Sequence, residues 1–95
     1  MNKYEMTVIF KPTLEEEALK QEFDKVQGYI ERFGGTIEKV DDWGKRRLAY
    51  EIQKLNDGFY YIFTIAGDPA MPKEIESRLR IMESVLRYLI IRLDA

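Results

Sequence analysis

Phe59-Tyr60-Tyr61-Ile62-Phe63-Thr64-Ile65-Ala66 is the most strand-like stretch of this sequence, built wholly of aromatic, β-branched and small residues. Pleating sends Phe59, Tyr61 and Phe63 to one face, which is predicted to be a core beneath helices rather than a surface for stacking bases. Breakers bound the stretch on both sides. Gly67-Asp68-Pro69 ends it, and Lys54-Leu55-Asn56-Asp57-Gly58 ahead of it reads as a turn, with Asp57-Gly58 the strongest signal.

Upstream, Thr36 to Ile52 is extended. Ile37 and Val40 are separated by polar residues, Asp41-Asp42-Trp43-Gly44 marks a bulge or bend, and Leu48, Tyr50 and Ile52 alternate with polar or small partners. Before it, Leu19, Phe23, Val26, Ile30 and Phe33 recur at steps of 4, 3, 4 and 3, the apolar stripe of a helix. Thr13 and Glu16 have the spacing of a capping box, and Glu15, Glu16 and Glu17 occupy the first turn, where carboxylates complement the helix dipole. Gly34-Gly35 closes that helix. Ahead of it, Tyr4, Met6, Val8 and Phe10 alternate with Glu5, Thr7 and Ile9 in a half-buried strand that Lys11-Pro12 ends. Downstream, a second helix starts between Pro69 and Pro72 and carries Ile75, Leu79 and Met82. Val85 to Leu93 then forms a last apolar strand punctuated by Arg87 and Arg92.

Strand, helix, strand, strand, helix, strand is the order of an α+β chain of the ferredoxin-like split βαβ type (βαββαβ). Two helices cover one face of a four-stranded antiparallel sheet. No linker, low-complexity stretch or repeat interrupts residues 1–95, which are expected to form one domain.

Composition removes several functions. With no cysteine and no histidine, disulfides, thiolate chemistry, cysteine–zinc sites and the usual general base are all absent. No apolar run is long enough to span a bilayer and the N-terminus lacks the form of a signal peptide, so a soluble cytoplasmic protein is expected. The net charge of −2 conceals an asymmetry: residues 1–42 carry 6 Lys/Arg against 10 Asp/Glu, residues 43–95 carry 9 against 7. A basic face on an acidic body is compatible with that split.

Glu15, Glu16 and Glu17 point in different directions from a helix and cannot converge on one cation, and Asp41-Asp42 reads as a turn-forming pair. No nucleophile has a base beside it, and no glycine loop opens a helix to hold phosphate, so no enzyme and no cofactor are expected. Lys45-Arg46-Arg47 is the one compact basic run. On a strand Lys45 and Arg47 share a face and Arg46 takes the other; the run serves either phosphate or the protection of an exposed strand against pairing. Trp43 before it is either a plug at the bulge or an anchor in a partner interface. Arg87 and Arg92, at odd separation, are predicted on opposite faces of the last strand, each with an acidic neighbour or an external anion.

Gly44-Lys45-Arg46-Arg47-Leu48-Ala49-Tyr50-Glu51-Ile52 resembles the signature of the family of the sixth protein of the bacterial small ribosomal subunit. Tyr4-Glu5, Phe33-Gly34-Gly35, Glu38-Lys39-Val40, Leu79-Arg80-Ile81 and the strand from Val85 to Ile91 extend the resemblance over essentially the whole chain. Glu51 departs from it, since many relatives have proline there. No contact is expected from the long tail that some relatives carry beyond the position of Ala95. The resemblance implies a structural protein of the small ribosomal subunit, one that binds the central domain of 16S ribosomal RNA together with small-subunit ribosomal protein eighteen, its heterodimer partner. It implies no membrane and no small-molecule substrate. Under it, Lys3, Lys45, Arg46, Arg47, Arg87 and Arg92 are the candidate RNA contacts, and Trp43, Leu48, Tyr50 and Tyr60 the candidate partner contacts, chosen by strand position. The alternatives on such a fold are a small-molecule regulatory domain, which needs a phosphate loop or a convergent polar pocket, and a self-associating interaction module.

Overall fold

The alternation of Tyr4, Met6, Val8 and Phe10 is realised as a strand whose one side is sealed from water. In the computed structural model, which describes residues 2–93, this is β1 (Asn2–Phe10). It is followed by α1 (Glu16–Arg32), β2 (Thr36–Ile52), β3 (Leu55–Gly67), α2 (Met71–Leu79) and β4 (Val85–Leu93). Met1, Asp94 and Ala95 of the expected domain lie outside the described residues. The sheet order is β2-β3-β1-β4, antiparallel throughout, so β1 and β3 are central and β2 and β4 are edges. This is the split βαβ architecture expected from the order of elements.

The core lies between the sheet and the helices. Met6, Val8 and Phe10 of β1, Phe63 and Ile65 of β3, Val26 and Ile30 of α1 and Ile75 of α2 are all fully buried there. Phe59 and Tyr61 pack on the same cluster. Phe23 of α1 lies 4.8 Å from the Tyr61 ring and 5.4 Å from Phe63, centroid to centroid, so the aromatic row of β3 is core under a helix, as its pleating predicts. Leu19, Phe23 and Phe33 complete the α1 stripe as partly buried neighbours.

Three local expectations fail. Met82, expected on the second helix, lies beyond the end of α2 at Leu79. The N-cap of α1 is Glu15, which makes no side-chain cap hydrogen bond, so the Thr13/Glu16 capping box does not form. The turn between β2 and β3 is Gln53-Lys54, flanked by the pair Ile52 and Leu55, with φ of 52° and 64°. A two-residue hairpin turn matching the strand twist needs positive φ at both positions, and here non-glycine residues adopt it. Asp57-Gly58 lies instead within β3, opposite Arg47 and Arg46. Gly58 is required there for a different reason: a Cβ would stand 2.4 Å from Ile9 Cγ2 and 3.1 Å from the Phe10 carbonyl oxygen.

The bulge read at Asp41 to Gly44 is present. The β2–β3 register shifts between Asp42 and Gly44, Gly44 has φ of 69°, and its N–H donates to the Asp42 carboxylate over 2.8 Å. At the other end of α1, Gly34 (φ 83°) and Gly35 donate backbone hydrogen bonds to Glu31 and Ile30 carbonyls, which ends the helix.

Candidate functional site

The six cations singled out in the sequence fall into two groups at opposite ends of the sheet. Lys3 pairs across with Leu93 and lies on the open face, whereas Arg92 pairs with Tyr4 of the core and lies on the helix side. Lys3 is held 3.4 Å from Glu38, and an Arg92 guanidinium nitrogen donates to the Asn2 side-chain oxygen over 3.3 Å. Arg87 pairs with Ile9, on the open face, six residues along β1 from Lys3 and hence about 20 Å away at the rise of an extended strand. Arg87 and Arg92 therefore do take opposite faces.

Lys45, Arg46 and Arg47 lie at the Arg87 end, opposite Phe59, Gly58 and Asp57. Lys45 takes the helix side, its ammonium 5.3 Å from the Phe59 ring centroid. The Arg46 guanidinium lies 5.5 Å from the Trp43 ring and donates to the Trp43 carbonyl oxygen over 3.0 Å. All three cations remain exposed. Cation–aromatic stacking thus orients two of them without neutralising their charge.

The candidate partner residues gather at this same end. Trp43 is 48% exposed and Tyr50 58% exposed, while Tyr60 is half-buried on the open face of β3. Leu48 is buried within the chain, because it lies over Gly58 beside Ile9. Between Arg47 and Ile52 the ladder with β3 lapses, and this segment of β2 turns across the open face. It carries the Tyr50 hydroxyl to Arg87 of β4, whose guanidinium donates to it and stacks 5.5 Å from its ring centroid. Thr7, Ile9, Tyr60, Arg87, Tyr88 and Leu89 line a shallow cavity next to this bridge. Leu89, Ile91 and Leu93 continue the open face of β4 as an exposed apolar row. Neither the bridge nor this row was read from the sequence. The lapse in pairing over 48–51 has no local marker, but Leu89, Ile91 and Leu93 alternate as apolar residues on a face that the core does not use, and that signal was available.

Among the described residues no three acidic side chains converge on a position for a metal ion, and no helix is long and apolar enough to cross a membrane. The Tyr61 phenol is pushed up by burial and then by the Asp42 carboxylate. One open end of the sheet thus carries oriented cations beside exposed aromatics.

The comparisons with known proteins define it further. The model of the family described as ribosomal protein S6 matches residues 3–92. Small ribosomal subunit protein bS6 of Alkaliphilus oremlandii is 49% identical over 94 residues, covering 99% of each chain. The protein of the same name from Clostridium kluyveri is 48% identical over 92 residues, covering 97% of each. The crystal structure of 30S ribosomal protein S6 from Thermotoga maritima matches with a TM-score of 0.92 at 32% identity, over 97% of this chain and 87% of that one. The chain belongs to the ribosomal protein S6 family. It is a structural small-subunit protein of the cytoplasmic ribosome and not an enzyme.

Proposed function

We propose that this chain, as one domain over residues 1–95, binds the central domain of 16S ribosomal RNA jointly with small-subunit ribosomal protein eighteen, and that its role there is architectural. The observation that carries the reading is the gathering of Lys45, Arg46, Arg47 and Arg87 with Trp43, Tyr50 and Tyr60 at one end of the sheet. A rigid sheet with oriented cations suits recognition of a folded RNA surface by shape and phosphate position rather than by base identity. The net charge of −2 supplies too little phosphate neutralisation for tight binding alone, so a basic partner protein bound beside the cations makes up what is missing. Trp43, Tyr50 and Tyr60 are the contacts assigned to that partner, with Leu48 supporting them from beneath. Lys3 and Arg92, at the far end, contact RNA only if the site extends along the whole sheet.

The test is reconstitution of the purified chain with protein eighteen and a central-domain RNA fragment at moderate salt. A ternary complex that neither protein forms alone is expected. Failure of the pair to retain RNA, with each component folded, sinks the reading. Arg87→Ala and Arg46→Ala should each lower the slope of log affinity against log salt by about one if that side chain meets a phosphate. An unchanged slope removes that residue from the contact set.

A further inference from the structure

On the helix side, far from the open face, α1 and β2 leave a groove whose floor is Leu19, Phe23, Val40 and Tyr61 and whose rim carries Glu16, Lys20, Asp24 and Asp42. The floor is the outer edge of the aromatic row: Phe23 and Tyr61 pack at 4.8 Å, and both are partly buried residues that line the groove. Among the described residues, Glu16, Asp24 and Asp42 enter no ion pair, although Lys25, Lys39 and Lys3 each engage a carboxylate elsewhere. Three unneutralised carboxylates against one lysine make a negative rim around an apolar, aromatic floor. RNA is repelled by such a rim, which lies on the acidic half of the chain. An apolar floor with an anionic rim complements a polypeptide that places an apolar side chain between flanking Lys or Arg residues.

We propose that the α1–β2 groove is a second docking site, separate from the cationic sheet end, for a short basic–apolar segment of another protein. The segment lays an apolar side chain on Phe23, Val40 and Tyr61 and directs its cations to Asp24, Asp42 and Glu16. Because the Asp42 carboxylate already accepts the Gly44 N–H, it is held in place before anything binds. The two sites differ in sign of charge, so the chain is able to hold RNA at one and a basic protein at the other.

The probe is a synthetic peptide of alternating lysine and leucine, titrated into the isotopically labelled full chain and followed by amide chemical shifts, with a glutamate–leucine peptide of equal length beside it. Shifts confined to residues around Leu19, Phe23, Val40 and Tyr61 are expected for the lysine peptide alone, weakening as salt rises. Asp24→Asn and Asp42→Asn conserve shape, and the amide oxygen that the second introduces still accepts the Gly44 N–H. Each should weaken the peptide by about threefold, the scale of an exposed ion pair. The same variants should leave assembly with protein eighteen and 16S RNA unchanged, which separates this site from the sheet-end function. Equal binding of both peptides, shifts on the open face instead of the groove, or groove shifts that depend on chain concentration without peptide would each overturn the proposal. The last of these outcomes identifies a second copy of the chain as the occupant.

Discussion

At Gly58 the backbone of β3 runs directly beneath Ile9, with Leu48 at the far side of the same space. Gly58→Ala would drive a methyl group into Ile9 and the Phe10 carbonyl, and overpacking of this kind costs about 1–3 kcal/mol. A fall in the urea midpoint at unchanged slope is the expected measurement. Lys54 illustrates the opposite case. It holds φ of 64° on a side chain that the left-handed region disfavours, so Lys54→Gly should stabilise the hairpin by about 0.5–1 kcal/mol despite the looser unfolded chain. Tyr61 couples stability to alkaline pH. Its folded pKa is raised by burial and by Asp42, so the protonated phenol is favoured in the fold. Its contribution is complete below the unfolded value of about 10 and is lost as pH rises through the higher folded value. Ultraviolet titration should show a late-ionising component that is absent in Tyr61→Phe and shifted down in Asp42→Asn.

Among the elements, α1 combines a strong apolar stripe with a poor beginning. Its buried Val26 and Ile30 anchor it to the sheet, but Glu15 at the N-cap offers no cap hydrogen bond. Glu15→Ser should therefore add about 0.5–1 kcal/mol by satisfying a free N–H of the first turn, while Thr13→Ala should change stability by less than about 0.5 kcal/mol. A large loss from Thr13→Ala, read by thermal melting, would restore the capping box. The helix was legible because a stripe of five apolar residues outweighs its cap, and its end was legible because Gly34 takes a positive φ. The β2–β3 hairpin was legible as two strands but not at its turn. Asp57-Gly58 carries the composition of a turn, yet close packing of Ile9 over the strand selects the same glycine, and composition alone does not distinguish the two causes.

Taken as a molecule, the chain separates its charges in space as well as along the sequence. Cations and exposed aromatics share one end of the sheet, while three unpaired carboxylates rim an apolar groove beside α1. The Tyr50–Arg87 contact, between residues 37 apart in sequence, ties the arm of β2 to the far edge strand across the open face. Tyr50→Phe removes the acceptor but keeps the ring. It should leave the melting temperature nearly unchanged and speed amide exchange in the arm, since an exposed contact contributes little to global stability. A melting temperature lowered as much as by a core substitution would show that the arm is part of the global folding unit.

What the sequence determined by itself is the order of elements and the inward faces of β1, β3 and α1. Both rest on local periodicity. The resemblance carried by Gly44 to Ile52 added the family, which the comparisons bear out. Only the tertiary structure decided which cations stand together, why Gly58 is a glycine, and that Tyr50 reaches Arg87. Those facts depend on strand register and on where pairing lapses, and register is set by contacts between residues far apart in the chain.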